Sequence, residues 1–362
     1  MNSLKIGTLR RTINSANATS ARDLVNKTLA QHGLMSADGL PSMSSATLPQ
    51  MPSWLTATAG PAVAPAALTP GASFQAERFT HDTSARDYMI YVPASASPSA
   101  SGVVMMLHGC TQTHMDFAAG TGMNDLAEQH GFIVVYPQQS RGDNAQSCWN
   151  WFSRGDQRRG RGEPALLAAL AAHVARDHDV PRARTFVAGL SAGAAMAVIL
   201  GQTYADVFAG VGAHSGLPYE SAKDVPSAFA AMADGGAGAM RDRSQARMTP
   251  TIVFHGTADR TVHPANGDRI AGNIINAAPE QTLSQKTSGD TNGRTFTLER
   301  TTTMEGDPLL ELWSVEGLGH AWSGGRASGS YTDPAGPDAS AEMVRFFFEQ
   351  AVPPAPVSGP TS

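Results

Sequence analysis

The sequence predicts an α/β fold: a mostly parallel β-sheet with helices on both faces and an antiparallel hairpin at its N-terminal edge. Three observations carry this expectation. Short, continuous apolar runs recur at 102–107, 132–136, 185–188 and 251–254, the pattern of strands buried on both faces. Helix-length segments alternate with them, as covered parallel sheets require. Polar, Gly-containing stretches carrying His, Ser or Asp follow several of the runs. In such sheets the chemistry gathers at the carboxyl ends of the strands.

In chain order, residues 1–35 mix Lys, Arg, Asn and Thr with spaced Leu and Ile, and 20–32 fits a short amphipathic helix in an N-terminal extension. Pro41, Pro49, Pro52, Pro61, Pro65 and Pro70 punctuate a Ser-, Ala- and Thr-rich stretch over 36–73, which reads as a linker. The folded domain is expected over 74–351, with a Pro-rich disordered tail at 352–362. Residues 74–80 and 87–92 read as two strands joined by a polar turn, the edge hairpin. Strand 102–107 ends in His108-Gly109-Cys110 and feeds one helix over 115–130, stopped by Gly131. Strand 132–136 stops at Pro137, and the irregular stretch 138–162 carries Cys148-Trp149-Asn150-Trp151-Phe152. A helix over 163–178 leads to strand 185–188 and an Ala-rich helix. A small-residue strand at 208–213 and an excursion over 217–247 with a Gly-rich centre come next. Strand 251–254, a helix at 266–277, strands 295–302 and 309–315, and a helix at 340–350 N-capped by Asp338 complete the domain.

Composition narrows the function classes. Hydrophobic residues make up 41% of the 362 and charged ones 16%, which suits a globular core. A net charge of −5 leaves no basic footprint for nucleic acid. No run approaches the ~20 apolar residues of a membrane span. Lys5, Arg10 and Arg11 precede no continuous apolar segment. This predicts no secretory leader and a cytoplasmic site by default, with export as the alternative. Two cysteines and scattered histidines lack the spacing of a metal site.

The chemistry centres on Gly189-Leu190-Ser191-Ala192-Gly193. A strand, a sharp turn with Ser at its apex and a helix form the context of a nucleophile elbow. The flanking glycines let strand and helix approach, and the helix start offers free N–H groups and a positive dipole end. A serine hydroxyl needs a base, and the base needs a carboxylate to hold its tautomer. In this topology the order is Ser, acid, His. Asp259 follows strand 251–254 and His320 follows strand 309–315, both in Gly-containing loops and in the right order. His214, His255, His263, Asp268 and Asp307 are rivals, with His255 and His263 read as supports of the acid loop. An oxyanion hole needs two N–H donors. The expected pair is Ala192, just after the nucleophile, and Cys110, in the loop after strand 102–107, with Thr111 or Gln112 shaping that loop. Trp149, Trp151 and Trp322 are candidates to line a substrate cleft, Trp322 first among them, with core packing the alternative for the other two. Cys110 and Cys148 allow one internal disulfide; paired or reduced, both readings stay open at this point.

The assembled motifs resemble the poly(3-hydroxybutyrate) depolymerase-type esterases of the α/β-hydrolase superfamily. The matching pieces are Leu107-His-Gly-Cys-Thr-Gln112, Asp116-Phe-Ala-Ala119, Cys148-Trp-Asn-Trp-Phe152, Arg161-Gly-Glu-Pro164, Gly189-Leu-Ser-Ala-Gly193, Phe254-His-Gly256 with Asp259 and Thr261-Val-His-Pro264, Gly319-His-Ala-Trp-Ser-Gly324 and Ser330-Tyr-Thr-Asp-Pro334. The resemblance implies an α/β-hydrolase fold and a Ser191, Asp259 and His320 triad. It also implies Cys110 and Ala192 as oxyanion donors, ester hydrolysis without a cofactor, and a Cys110–Cys148 bridge. The implied substrate is a 3-hydroxybutyrate-type polyester, its oligomers or a small ester. Feruloyl or acetyl esters of plant polysaccharides are the alternative, other acyl transfers are a third, and a non-catalytic binding module is the remote one.

Overall fold

In the computed structural model, residues 68–234, 249–278 and 281–349 are described, and they belong to one unit, Ala64–Ser362. The readings for helix 20–32, most of the linker, the tail and the Gly-rich centre of the excursion fall outside the described residues.

The edge hairpin is present. Strands β1 (Ser73–His81) and β2 (Ser84–Val92) pair antiparallel from Ser73↔Val92 to His81↔Ser84. Next come β3 (Val103–Leu107), β4 (Ile133–Pro137), β5 (Thr185–Leu190), β6 (Gly210–His214) and β7 (Thr251–Gly256). A second hairpin, β8 (Thr282–Thr291) with β9 (Arg294–Thr303), leads into β10 (Pro308–Val315). All ten form one sheet in the order β1-β2-β4-β3-β5-β6-β7-β10-β9-β8. Its centre, from β4 to β10, is parallel, and antiparallel hairpins flank it on both sides.

The continuous apolar runs make sense in this setting. Successive strand residues point to opposite faces. Val103, Met105 and Leu107 enter one core, and Val104 and Met106 the other, so every position must be apolar. Helices α1 (His114–Thr121), α2 (Met123–His130) and α7 (Ala339–Glu349) cover the second core. Helices α3 (Gly162–Asp177), α4 (Ala192–Thr203), α5 (Val225–Asp234) and α6 (Ala265–Ala277) cover the first. Asp338 caps α7 as expected, its Oδ1 accepting the Ala341 N–H at 3.0 Å. Among the described residues no helix is long and apolar enough to cross a membrane.

One expectation needs correction, and one strand went unread. The single helix over 115–130 is two, α1 and α2, broken at Gly122 with φ 64°. A side chain at Gly122 would also run into the Arg326 guanidinium. Strand β8 had no apolar alternation to announce it. It is an exposed edge strand, and its order comes from the ladder it forms with β9.

Candidate active site

The elbow is built by close backbone approach. Ser191 sits between β5 and α4 with φ 57° and ψ −118°, a conformation that non-glycine residues avoid. A Cβ on Gly189 would press on the Gly193 backbone, and one on Gly193 would overlap the Leu107 and His108 carbonyls. Only glycine at both positions lets α4 start against the end of β3. The strained turn is tied to the next strand, because Ser191 N–H donates to the His214 carbonyl at 2.9 Å.

Asp259 and His320 meet across adjacent strands. Asp259 follows β7, His320 follows β10, and these strands pair in parallel. His320 Nδ1 lies 2.8 Å from Asp259 Oδ2. Asp259 Oδ1 accepts the Thr261 and Val262 N–H groups, each at 2.9 Å. Burial opposes ionisation of this carboxyl. Hydrogen bonds from His255 and His320, the His320 charge and the Val262 N–H outweigh it and hold Asp259 well below the usual carboxylate range. With Nδ1 engaged by the carboxylate, Nε2 is the nitrogen of His320 left for proton transfer.

The rivals separate by position. His255 Nε2 is 2.9 Å from the Val262 carbonyl and 3.5 Å from Asp259 Oδ2, so it braces the acid loop. His263 is exposed, and its Nδ1 accepts the Ala265 N–H at 3.2 Å where α6 begins. Asp268 is exposed in the first turn of α6, and Asp307 is exposed between β9 and β10. His214 is fully buried, and burial followed by repulsion from His255 and His320 lowers its pKa to about 3. It is therefore neutral, and its Nε2 accepts the Ser323 N–H at 3.0 Å, holding the loop that carries His320. Sequence reasoning treated His214 only as a rival base and missed this bracing role.

The loop after β3 presents one amide between two engaged ones. Gly109 N–H donates to Gln112 Oε1 at 2.9 Å, and Thr111 N–H to the Gln146 carbonyl at 2.7 Å. Among the described residues, neither Cys110 N–H nor Ala192 N–H donates to a protein acceptor. Ala192 is the first residue of α4, where helix N–H groups have no intrahelical partner. Cys110 is disulfide-bonded to Cys148, which pins the Trp-bearing stretch to this loop. Gln112, expected to shape the loop, also donates from Nε2 to Asp116 Oδ2 at 2.9 Å and to the Ser330 carbonyl at 3.0 Å.

The three tryptophans are not surfaces for substrate. Trp149, Trp151 and Trp322 are 0%, 5% and 1% exposed. Trp149 Nε1 donates to the His108 carbonyl at 3.0 Å, supporting the β3 loop from inside. Trp322 packs edge-on to Phe117 and stacks on His214, and its Nε1 donates to Ser340 Oγ at 3.1 Å. Trp151 lies in the core against Phe152. Their amphipathic rings serve the scaffold beneath the site.

Tyr331, which sequence reasoning passed over, is exposed beside His320, their ring centroids 6.4 Å apart. It lies in the Ser330-Tyr-Thr-Asp-Pro334 motif, the one signal that could have found it.

Comparisons with known proteins place this geometry. The family model described as "Esterase PHB depolymerase" matches residues 86–292, more than half of the chain. The poly(3-hydroxyalkanoate) depolymerase C of Paucimonas lemoignei is 36% identical over 241 residues, 64% of this chain and 57% of that protein. Acetylxylan esterase A of Talaromyces purpureogenus is 28% identical over 222 residues, 55% of each chain. The chain thus spans little more than half the length of these two relatives. The solved acetyl xylan esterase from Aspergillus awamori matches with a TM-score of 0.56 at 20% identity, over 73% of this chain and 94% of that one. This likeness identifies the fold as that of α/β-hydrolases.

Proposed function

Because the chain belongs to the PHB depolymerase esterase family, we propose that it hydrolyses carboxylic esters through an acyl-enzyme on Ser191. The substrate class is 3-hydroxybutyrate-type polyesters or their oligomers. One observation carries the reading: the Asp259–His320 contact of 2.8 Å stands at the same carboxyl end of the parallel strands as the strained Ser191 turn. Ser191 Oγ attacks the ester carbonyl while His320 Nε2 takes its proton. The oxyanion is held by the Cys110 and Ala192 N–H groups. The C–O bond to the alcohol breaks, and the leaving oxygen takes the proton from His320. Water then attacks the acyl-enzyme, giving its proton to His320. The acid is released as that proton returns to Ser191.

A second reading has its own support. Relatives named acetylxylan esterase match 49% and 55% of this chain, so short acyl esters on polysaccharide are the rival substrate. Turnover of poly(3-hydroxybutyrate), its soluble dimer, methyl ferulate and acetylated xylan, measured side by side, decides between them. The proposal expects the two hydroxybutyrate substrates to give the highest kcat/KM. A clear preference for acetylated xylan would replace it with the rival.

A further inference from the structure

We propose that Tyr331 is the contact for the alcohol side of the ester, the unit that departs when the acyl-enzyme forms; this rests on the ester-hydrolase reading above. The residue is 46% exposed, one of five exposed large hydrophobic residues among those described. Hydrogen bonds hold it on several sides. Its carbonyl accepts the Trp322 N–H at 2.7 Å, which ties it to the loop bearing His320. The preceding Ser330 is clamped by Asp116, with Ser330 N–H to Oδ1 at 2.9 Å and Ser330 Oγ to Oδ2 at 2.5 Å. Thr111 Oγ1 donates to the Cys110 carbonyl at 2.6 Å, so the Tyr331 hydroxyl, 3.2 Å away, donates to Thr111 Oγ1. Tyr331 thus spans from the oxyanion loop to the base.

The nearness of the ring to the imidazole carries its role. It stands edge-on to the His320 imidazole, with centroids 6.4 Å apart and planes at 79°. His320 must hand its proton to the leaving oxygen, so a surface beside the imidazole lies against the alcohol portion. In a polyester that portion is another hydroxyacyl unit, whose methyl and methylene groups suit an aromatic face. The backbone adds a second argument. Tyr331 has φ 52°, a left-handed conformation that suits Asn or Gly and penalises a bulky side chain. A tyrosine held there against its preference, beside the reacting groups, marks strain retained for function. Thr111 at φ 66° and Ser191 at φ 57° are held likewise in the same region.

Two butyryl esters that differ only in the alcohol test this, methyl butyrate and methyl 3-(butyryloxy)butyrate, both read as butyrate released. Tyr331→Asn suits the backbone, so the fold is kept; Tyr331→Phe keeps the ring and loses the hydroxyl. In Tyr331→Asn the ratio of kcat/KM for the extended alcohol over methanol should fall about tenfold or more, mostly through KM. In Tyr331→Phe it should stay within about threefold of wild type. Breakdown of the butyryl-enzyme, common to both esters, should be the same in Tyr331→Asn as in wild type, because the alcohol has already left. Equal losses on the two esters, or slowed deacylation, would overturn the assignment and leave Tyr331 as loop support. Turnover by Ser191→Ala would instead refute the underlying ester-hydrolase reading.

Discussion

His214 Nε2 accepts the Ser323 N–H at 3.0 Å, while the His214 carbonyl accepts the Ser191 N–H at 2.9 Å. One buried, neutral histidine at the end of β6 therefore braces both the Ser191 turn and the loop bearing His320. Its ring stacks with both Phe254 and Trp322, which fixes its plane.

His214→Phe keeps the stack and removes the acceptor for Ser323. A displaced His320 loop should cost about ten- to a hundredfold in kcat. KM should move little, and circular dichroism should remain that of the native fold. Wild-type kcat in this variant would mean that Ser323 needs no such anchor.

Gly193→Ala should be among the most damaging single-methyl additions in the protein. The added Cβ meets the Leu107 and His108 carbonyls, which are backbone of a buried strand end and cannot swing away. The expected cost is about 4 kcal/mol or more, the range of severe core defects. Soluble yield and thermal melting check it; a stable, active variant would contradict the close-approach account of the elbow.

The Cys110–Cys148 bridge closes a separation of 38 residues between the oxyanion loop and the Trp-bearing stretch. Replacing both cysteines by Ser should lower stability by about 2–4 kcal/mol in urea titrations. Treating the wild type with a reductant should give the same loss. No change in either experiment would show that the loops hold without the bond.

Acid should destabilise the protein through its buried histidines. Burial is the largest cause that lowers His214 from 6.5 to about 3 and His108 from 6.5 to about 4. Between those values the unfolded chain binds protons that the folded chain does not, so stability rises with pH across this window. The depressed Asp259 acts in the same sense at the acid end. Glu163 opposes them. Burial raises it from 4.5 to about 7, so its contribution is lost as pH climbs between those values. Urea unfolding of wild type and Glu163→Gln from pH 4 to 8 checks the sign. The variant should gain on wild type as pH rises through that window, and parallel profiles would be the contrary result.

Much of this was legible in the sequence. Apolar runs such as 103–107 are readable because burial on both faces leaves no polar position. The Asp259–His320 pairing was readable from chain order, because each residue follows the end of a strand. Long-range anchoring was not. Nothing in the local pattern says that His214 faces Ser323, that Asp116 clamps Ser330, or that Tyr331 reaches Thr111, since these contacts are set by the packing of distant loops. The tryptophans misled for a related reason: an aromatic with a polar tip suits a cleft or a core, and only the fold chooses. Strand β8 was invisible because hydrogen bonding to β9, rather than side-chain burial, orders it.

Ser191 is proposed above as the nucleophile of an ester hydrolase. Fluorophosphonate labelling followed by peptide mass mapping tests it most directly, alongside Ser191→Ala assayed on p-nitrophenyl butyrate. One adduct is expected, on Ser191, with none in the variant and a loss of several orders of magnitude in turnover with the fold intact. An adduct on another residue, or turnover retained by Ser191→Ala, would contradict it.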